Sequence, residues 1–175
     1  MEHLITIDEF KELARPTSVH IDESEVTAYI RESEDMNIIP AIGYDRYKHL
    51  LADDQSTLSD DEKTLLSGGE YTVKQGCTGD AKTTTVKCHG LKTALAYYAY
   101  AKMLRSDGAV VARAGFMRHD DVYSSHVDDS KLKQYNDVMN CAEFYLGSCL
   151  AFIKSKDDTI KPVHGTRCRI HAIGD

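Results

Sequence analysis

The stretch GLKTALAYYAYAKMLRSDG, Gly90 to Gly108, decides the fold. Leu91, Ala94, Leu95, Tyr98, Ala101 and Met103 or Leu104 recur at helical spacing, and the small alanines between tyrosines let neighbouring helices approach closely. Glycines stand at both ends, and Gly108 supplies a left-handed residue to stop the helix. Its apolar side carries no catalytic polar group, so it reads as scaffolding. A second helix of the same kind is expected in DDSKLKQYNDVMNCAEFYLGSCLAFIK, residues 128–154. There Leu132, Tyr135, Met139, Ala142, Leu146, Cys149 and Ile153 alternate in steps of three and four, a packing seam.

Working outward towards the N-terminus, one style of helix cap repeats. Thr6 with Glu9 makes a capping box before EFKELARP, and Pro16 closes that helix. Asp22 with Glu25 makes another, opening a helix through about Met36. Val26, Tyr29, Ile30 and Met36 form its core side, while Glu23, Arg31, Glu32, Glu34 and Asp35 form a solvated face. Pro40 suits the first turn of a third helix, PAIGYDRYKHLL, which Gly43 weakens. Ser59 with Glu62 begins DDEKTLL, stopped by Gly68 and Gly69. The fold class expected is all-α. Helices near Asp8–Ala14, Glu23–Met36, Ala41–Leu51, Leu91–Arg105 and Ser130–Ile153 should pack as one bundle of about five, with Leu95, Tyr98, Met139 and Leu146 in its core.

Between Glu70 and His89 the grammar changes. EYTVKQ and TTTVKC are β-branched and alternating, with turn-like QGCTGDAK between them, so a hairpin or extended arm spans residues 70–89. A lone two-stranded ribbon is marginal in water, and Tyr71, Val73, Thr84 and Val86 are therefore assigned to contacts between subunits. Residues 109–129 form a long irregular connection between the two long helices. After Lys154 no helical period remains, giving a helical domain over 1–154 and an extended tail over 155–175.

The chain's 175 residues, with 42% hydrophobic and 28% charged, suit one ordinary soluble domain. Its formal net charge of -7 argues against a nucleic-acid binder, since phosphate attraction needs a basic face. No run approaches a membrane span, and MEHLITIDEF lacks the features of an export signal, so a cytoplasmic origin without a membrane partner is expected. The 5 cysteines are odd in number, and Cys141 and Cys149 sit in a helical stripe as small hydrophobes; reduced thiols are expected.

Several motifs give way to blander readings. Gly76 to Thr83 comes within one residue of a phosphate-binding loop, but such a loop must open a helix, and Thr83, Thr84, Thr85 and Val86 favour a strand. His164, Cys168 and His171, or Cys77, Cys88 and His89, make partial metal sets without four ligands, so no metal is assigned. Asp53 to Thr57 lacks the glycine and terminal Glu of a calcium loop. His119, Asp120, Asp121 and His126 form the cluster suited to acid–base chemistry; without a nucleophile beside it, a polar or interfacial loop is preferred. A small helical enzyme or metal-binding protein using that loop is the alternative. Lys161, Arg167 and Arg169 put a basic stretch on an acidic protein and suit docking onto an acidic partner.

The opening LITIDEFKELARPTS, then YIRESEDMNIIPAIGYDRYKHLL, then GLKTALAYYAYAKML, and then AGFMRHDDVYSSHVDD leading into the last long helix, resemble the head–tail connector, or neck-ring, proteins of tailed phages. The resemblance covers about Leu4 to Lys154 in order, and lies in whole helices. It implies a virion protein without enzyme activity or cofactor, made in the host cytoplasm. It also implies a ring, usually of twelve copies, seated on the portal, offering a platform to adjacent neck or tail rings, with genomic DNA passing through its lumen. A negative wall would repel that DNA, which suits a conduit. The threonine-rich arm, Val73 to Cys88, and the tail after Ser155 are longer than the family's pattern, so analogy does not assign them.

Overall fold

The computed structural model describes residues 2–15, 22–51, 57–75, 82–106, 109–112, 115–118 and 128–156. Within them the chain is mostly helical with small antiparallel strand pairs. In order come α1 (Ile7–Leu13), α2 (Glu23–Ser33), a π-helical turn (Glu34–Ile38), α3 (Ile39–Ile42), α4 (Tyr44–Leu50) and α5 (Asp60–Ser67). Then follow β1 (Gly69–Gln75), β2 (Lys82–Cys88), α6 (Leu91–Ser106), β3 (Ala109–Ala112), β4 (Gly115–Arg118) and α7 (Asp128–Lys156). The helical body is as expected, and β1 with β2, paired from Gly69↔Cys88 to Gln75↔Lys82, is the hairpin expected over residues 70–89; the second strand pair is the departure. The connection expected to be irregular holds β3 and β4, paired from Ala109↔Arg118 to Ala112↔Gly115, where the β-branched pair Val110–Val111 favours extended backbone.

Helix α6 is the axis of the core. It packs against α7 along its length and also meets α1, α2 and α5. Leu91, Ala94, Leu95, Ala96, Ala99 and Ala101 are wholly buried, and the alanines let those helices close in from several sides. Tyr98 is buried too, and desolvation, with the Glu143 carboxylate, pushes its phenol up to about 12. Helix α7 instead buries one stripe, Val138, Ala142, Leu146, Cys149, Phe152 and Ile153, with Met139 packed against it. Leu132, expected in the seam, is 60% exposed, because the stripe begins a turn later.

The caps form largely as expected. Glu9 N–H donates to Thr6 Oγ1 at 3.2 Å while Thr6 N–H donates to Glu9 Oε2 at 2.9 Å, and Ser59 with Glu62 repeats the arrangement. Asp22 caps α2 through the Ser24 amide at 2.8 Å rather than through a box with Glu25.

The larger correction lies after α2. The helix expected to end at about Met36 instead runs on without a break through α3, because the Ile39 amide bonds back five residues to the Glu34 carbonyl. This widened turn precedes Pro40, whose ring lacks a donor and would crowd the carbonyl four residues back in a regular helix. The extra residue carries Ile38 round to the buried stripe, so Met36, expected in the core, is 65% exposed. Glu34, expected on the solvated face, is turned inward and buried. The expected third helix divides at Gly43, whose φ of 87° ends α3 and starts α4.

Candidate functional site at the root of the first strand pair

Two glycine-bearing turns interlock where α5 gives way to β1 and β2 gives way to α6. Gly68 and Gly90 have φ of 90° and 88°, a region open to glycine. A Cβ at Gly90 would lie 2.6 Å from Gly68 N, and one at Gly68 would lie 2.9 Å from the His89 carbonyl oxygen. Backbone therefore rests on backbone, and Cys88, His89 and Gly90 are held in fixed register against Ser67, Gly68 and Gly69. A cleft of ≈ 430 Å³ opens here, lined by Ser67, Gly68, Gly69, Lys87, Cys88, His89, Thr93 and Tyr145.

Helix α7 closes the root with two adjacent side chains. The Cys88 and Cys149 Sγ atoms are 3.8 Å apart, both buried, and both thiols are free. The hydrogen bond from Cys149 holds the Cys88 thiol below its ordinary range against the opposing effect of burial, with the Gly90 amide helping. Cys149 moves the other way, raised first by that same hydrogen bond to Cys88 and then by burial. In the neutral pair either S–H can donate; once Cys88 has lost its proton, Cys149 is the donor.

Ser148 and His89 form the neighbouring contact, and its hydrogen bonds decide its chemistry. Ser148 Oγ donates its single proton to the Tyr145 carbonyl at 2.7 Å. It accepts from the His89 amide at 3.1 Å, so His89 Nδ1, also at 3.1 Å, must be a donor. The imidazole does not take a proton from Ser148, and the pair is a lock rather than an activated nucleophile. The ring packs at 5.2 Å from Phe144 and 5.0 Å from Tyr145 between centroids, and burial, then the Lys87 charge, lower its pKa.

A second buried polar contact lies at the π-helical turn. Glu34 accepts from the Leu4 amide at 2.7 Å and lies 2.7 Å from His3 Nδ1. Tyr47 hydrogen-bonds the same carboxylate, and burial followed by that negative charge raises the phenol's pKa. The carboxylate thus fastens the N-terminal segment and α4 to the end of α2. A further tie reaches α6: Lys92 Nζ donates to Glu9 Oε1 at 2.6 Å. Burial acts against ionisation of Glu9, but the Lys92 and Thr6 contacts outweigh it and lower the pKa.

The assigned arm residues fall elsewhere than expected. Tyr71 pairs with Val86 and Val73 with Thr84, so all four share one face of the β1–β2 ribbon. Tyr71 is buried, with its ring 4.9 Å from Phe152 and edge-on; Val73 and Val86 pack against the same core, and Thr84 is exposed. The ribbon's root therefore belongs to its own subunit, which corrects the assignment of Tyr71, Val73 and Val86 to contacts between subunits: one apolar face found a partner in α7. Thr83 to Val86 lie in β2, which removes the helix that a phosphate-binding loop would need.

Lys161, Arg167 and Arg169, the cluster His119, Asp120, Asp121 and His126, and also Cys77, His164, Cys168 and His171 lie outside the described residues. Among the described residues no three His, Cys, Asp or Glu side chains gather as a metal site. No described helix is long and apolar enough to cross a membrane. Sequence reasoning missed Glu34, the Cys88–Cys149 pair and the His89–Ser148 contact. The adjacent pairs Cys88–His89 and Ser148–Cys149 are visible in the sequence, but nothing in either spacing pairs residue 88 with residue 149.

Residues 38–165 match the model of DUF6712, described as a family of unknown function. The chain belongs to the DUF6712 family. The DUF6712 match contains the interlocked turns, α6 and α7, whereas Glu34, His3 and Leu4 precede it. No curated protein and no solved structure matches this DUF6712 chain.

Proposed function

We propose that this chain is a structural virion protein of a tailed phage, a neck-ring subunit that joins portal to tail and lets DNA pass. In this reading it is not an enzyme, and it needs no cofactor. The observation that carries the reading is the free side of α7. Phe144 is 63% exposed there, and around Gly147 a Cβ would meet nothing within 4 Å. A long helix anchored on one side, with an exposed aromatic ring beside open space on the other, is built to be covered by something outside its own subunit.

The charge distribution favours a neighbour that is another copy, placed head to tail. Residues 1–70 carry 17 acidic against 6 basic side chains, and residues 71–175 carry 11 against 15. A heterologous contact brings unlike surfaces together and closes as a ring when its rotation permits. The resemblance to connector proteins supplies the location, and the basic tail residues Lys161, Arg167 and Arg169 are assigned to docking on the portal. The overall negative charge would keep a DNA duplex from adhering to the lumen.

Electron microscopy tests this directly. Purified protein should form rings with an open centre, and labelled copies should lie at the head–tail junction of particles that carry it. A protein that stays monomeric at high concentration and is missing from virions would overturn the reading.

A further inference from the structure

We propose that Cys88 and Cys149 form a two-electron thiol site, in which a small peroxide entering the cleft oxidises Cys88 and Cys149 resolves the product as a disulfide. The inference concerns the interlocked turns alone and does not rest on the assembly role. Three observations carry it. The two sulfurs are 3.8 Å apart, and rotation about a Cys χ1 is the scale of movement that closes such a gap to about 2.05 Å. Cys88 lines a cleft of ≈ 430 Å³ through which a small oxidant can approach it. Cys149 comes from a different element, the middle of α7, so the bond would join residues 61 apart in sequence across the core.

The chemistry balances with the peroxide as oxidant. The Cys88 thiolate attacks one peroxide oxygen, the O–O bond breaks, and hydroxide or alkoxide leaves with the electron pair, forming a sulfenic acid on Cys88. Cys149 then attacks Cys88 Sγ. The S–OH bond breaks, the S–S bond forms, and the Cys149 proton leaves with the hydroxyl as water. Both sulfurs together lose two electrons, and peroxide oxygen gains them. The hydrogen bond from Cys149 and the amide of Gly90 favour the thiolate at Cys88, which makes it the attacking sulfur. Cys149 keeps its proton until the second step.

The burial of both thiols makes the site selective by size. Neither sulfur has exposed surface, so any oxidant must pass from the cleft between packed side chains, a passage open to hydrogen peroxide far more readily than to a tripeptide disulfide. Oxidation would also have a structural readout. The strand pair's root and the start of α6 become covalently tied to α7, so the unfolded chain is constrained and melting shifts upward.

The test treats the full-length protein with hydrogen peroxide and maps its peptides without reduction. The expected result is a linked Cys88–Cys149 peptide pair, an intact mass lower by two hydrogens, and a raised melting midpoint that returns after treatment with a phosphine reductant. In Cys149→Ser the sulfenic acid should persist on Cys88 and be trapped by a dimedone probe. Cys149→Ala provides the same readout if the serine variant folds poorly. Oxidised glutathione should form the link at least tenfold more slowly than peroxide at equal concentration. Cys88 and Cys149 remaining alkylatable while Cys77, Cys141 or Cys168 oxidises would overturn the proposal. Equal rates with the two oxidants would overturn the cleft as the route.

Discussion

Helix α6 and helix α7 are each other's principal neighbours, yet they are built on opposite plans. From Leu91 to Leu104 no residue of α6 is exposed, because alanines on several sides admit α1, α2, α5 and α7 together. Between Leu132 and Lys156, α7 buries one stripe and leaves Gly147 and Ala151 free on the other side, with Phe144 largely exposed beside the His89 ring. The difference separates what holds the subunit together from what remains to be covered. A charged group on α6 needs a partner, as Lys92 has in Glu9, whereas on the outer side of α7 it costs little.

The largest effect should come from charge placed on that inner axis. Leu95→Asp puts a carboxylate at a position with no exposure, and should remove more than about 4–5 kcal/mol, enough to abolish a cooperative urea transition. Leu146→Asp, on α7 at 9% exposure, should still destabilise but leave a measurable transition, since its carboxylate lies nearer water. Equal losses in urea titrations of the two variants would break the comparison between the helices.

Backbone contact at the interlocked turns ranks next. Gly90→Ala combines a φ of 88° with a Cβ 2.6 Å from Gly68 N, and should cost about 3 kcal/mol by chemical denaturation. Gly43→Ala has nearly the same φ, 87°, but open space around the Cβ, so it should cost less. If Gly43 proved the costlier, the close packing that seats α6 against α5 would not be a principal constraint.

Glu34 sharpens the comparison from a third place, since it fastens the outer α1 segment rather than the α6 axis. Glu34→Leu leaves the Leu4 amide, His3 and Tyr47 without their acceptor, for a loss of about 2 kcal/mol. Hydrogen exchange should show the loss as faster exchange in α1 and α4 with α6 still protected. Uniform acceleration along α6 as well would show that Glu34 supports the axis itself.

How much of this is legible in the sequence depends on the range of the interaction. Thr6, Ser59 and the stop at Gly68 are readable because a cap uses residues within a few positions. The core positions Leu95, Tyr98, Met139 and Leu146 are readable because helical period repeats along one continuous segment. Met36 and Glu34 are misplaced by periodicity because one wide turn shifts the phase of everything after Ser33, and a fixed period of 3.6 has no means of expressing that shift. Tyr71, Val73 and Val86 read as outward-facing because a ribbon alone is marginal, and its partner in α7 lies far along the chain. The sulfur pair and the His89–Ser148 lock are contacts at separations of 61 and 59 residues, which a single sequence does not encode in any local pattern.

The smallest effect has the opposite sign and separates subunit stability from assembly. Gly147 lies inside α7 on its free side, with no positive φ and nothing within 4 Å of where an alanine methyl would sit. Glycine at an exposed helical position is less favourable than alanine by about 0.8–1.0 kcal/mol, mostly through backbone entropy. Gly147→Ala should therefore raise the stability of the isolated subunit by about that amount in urea titration. If a second copy seats closely on this side of α7, the same methyl group occupies the space its backbone or side chains require. Ring formation measured by sedimentation should then weaken even though the subunit has become more stable. Phe144→Ser supplies the complementary case, costing the subunit about 1 kcal/mol because the ring also packs 5.2 Å from His89, while removing the exposed ring from the contact. Unimpaired rings in both variants would place the contact between copies on some other face, while leaving the contrast between α6 and α7 intact.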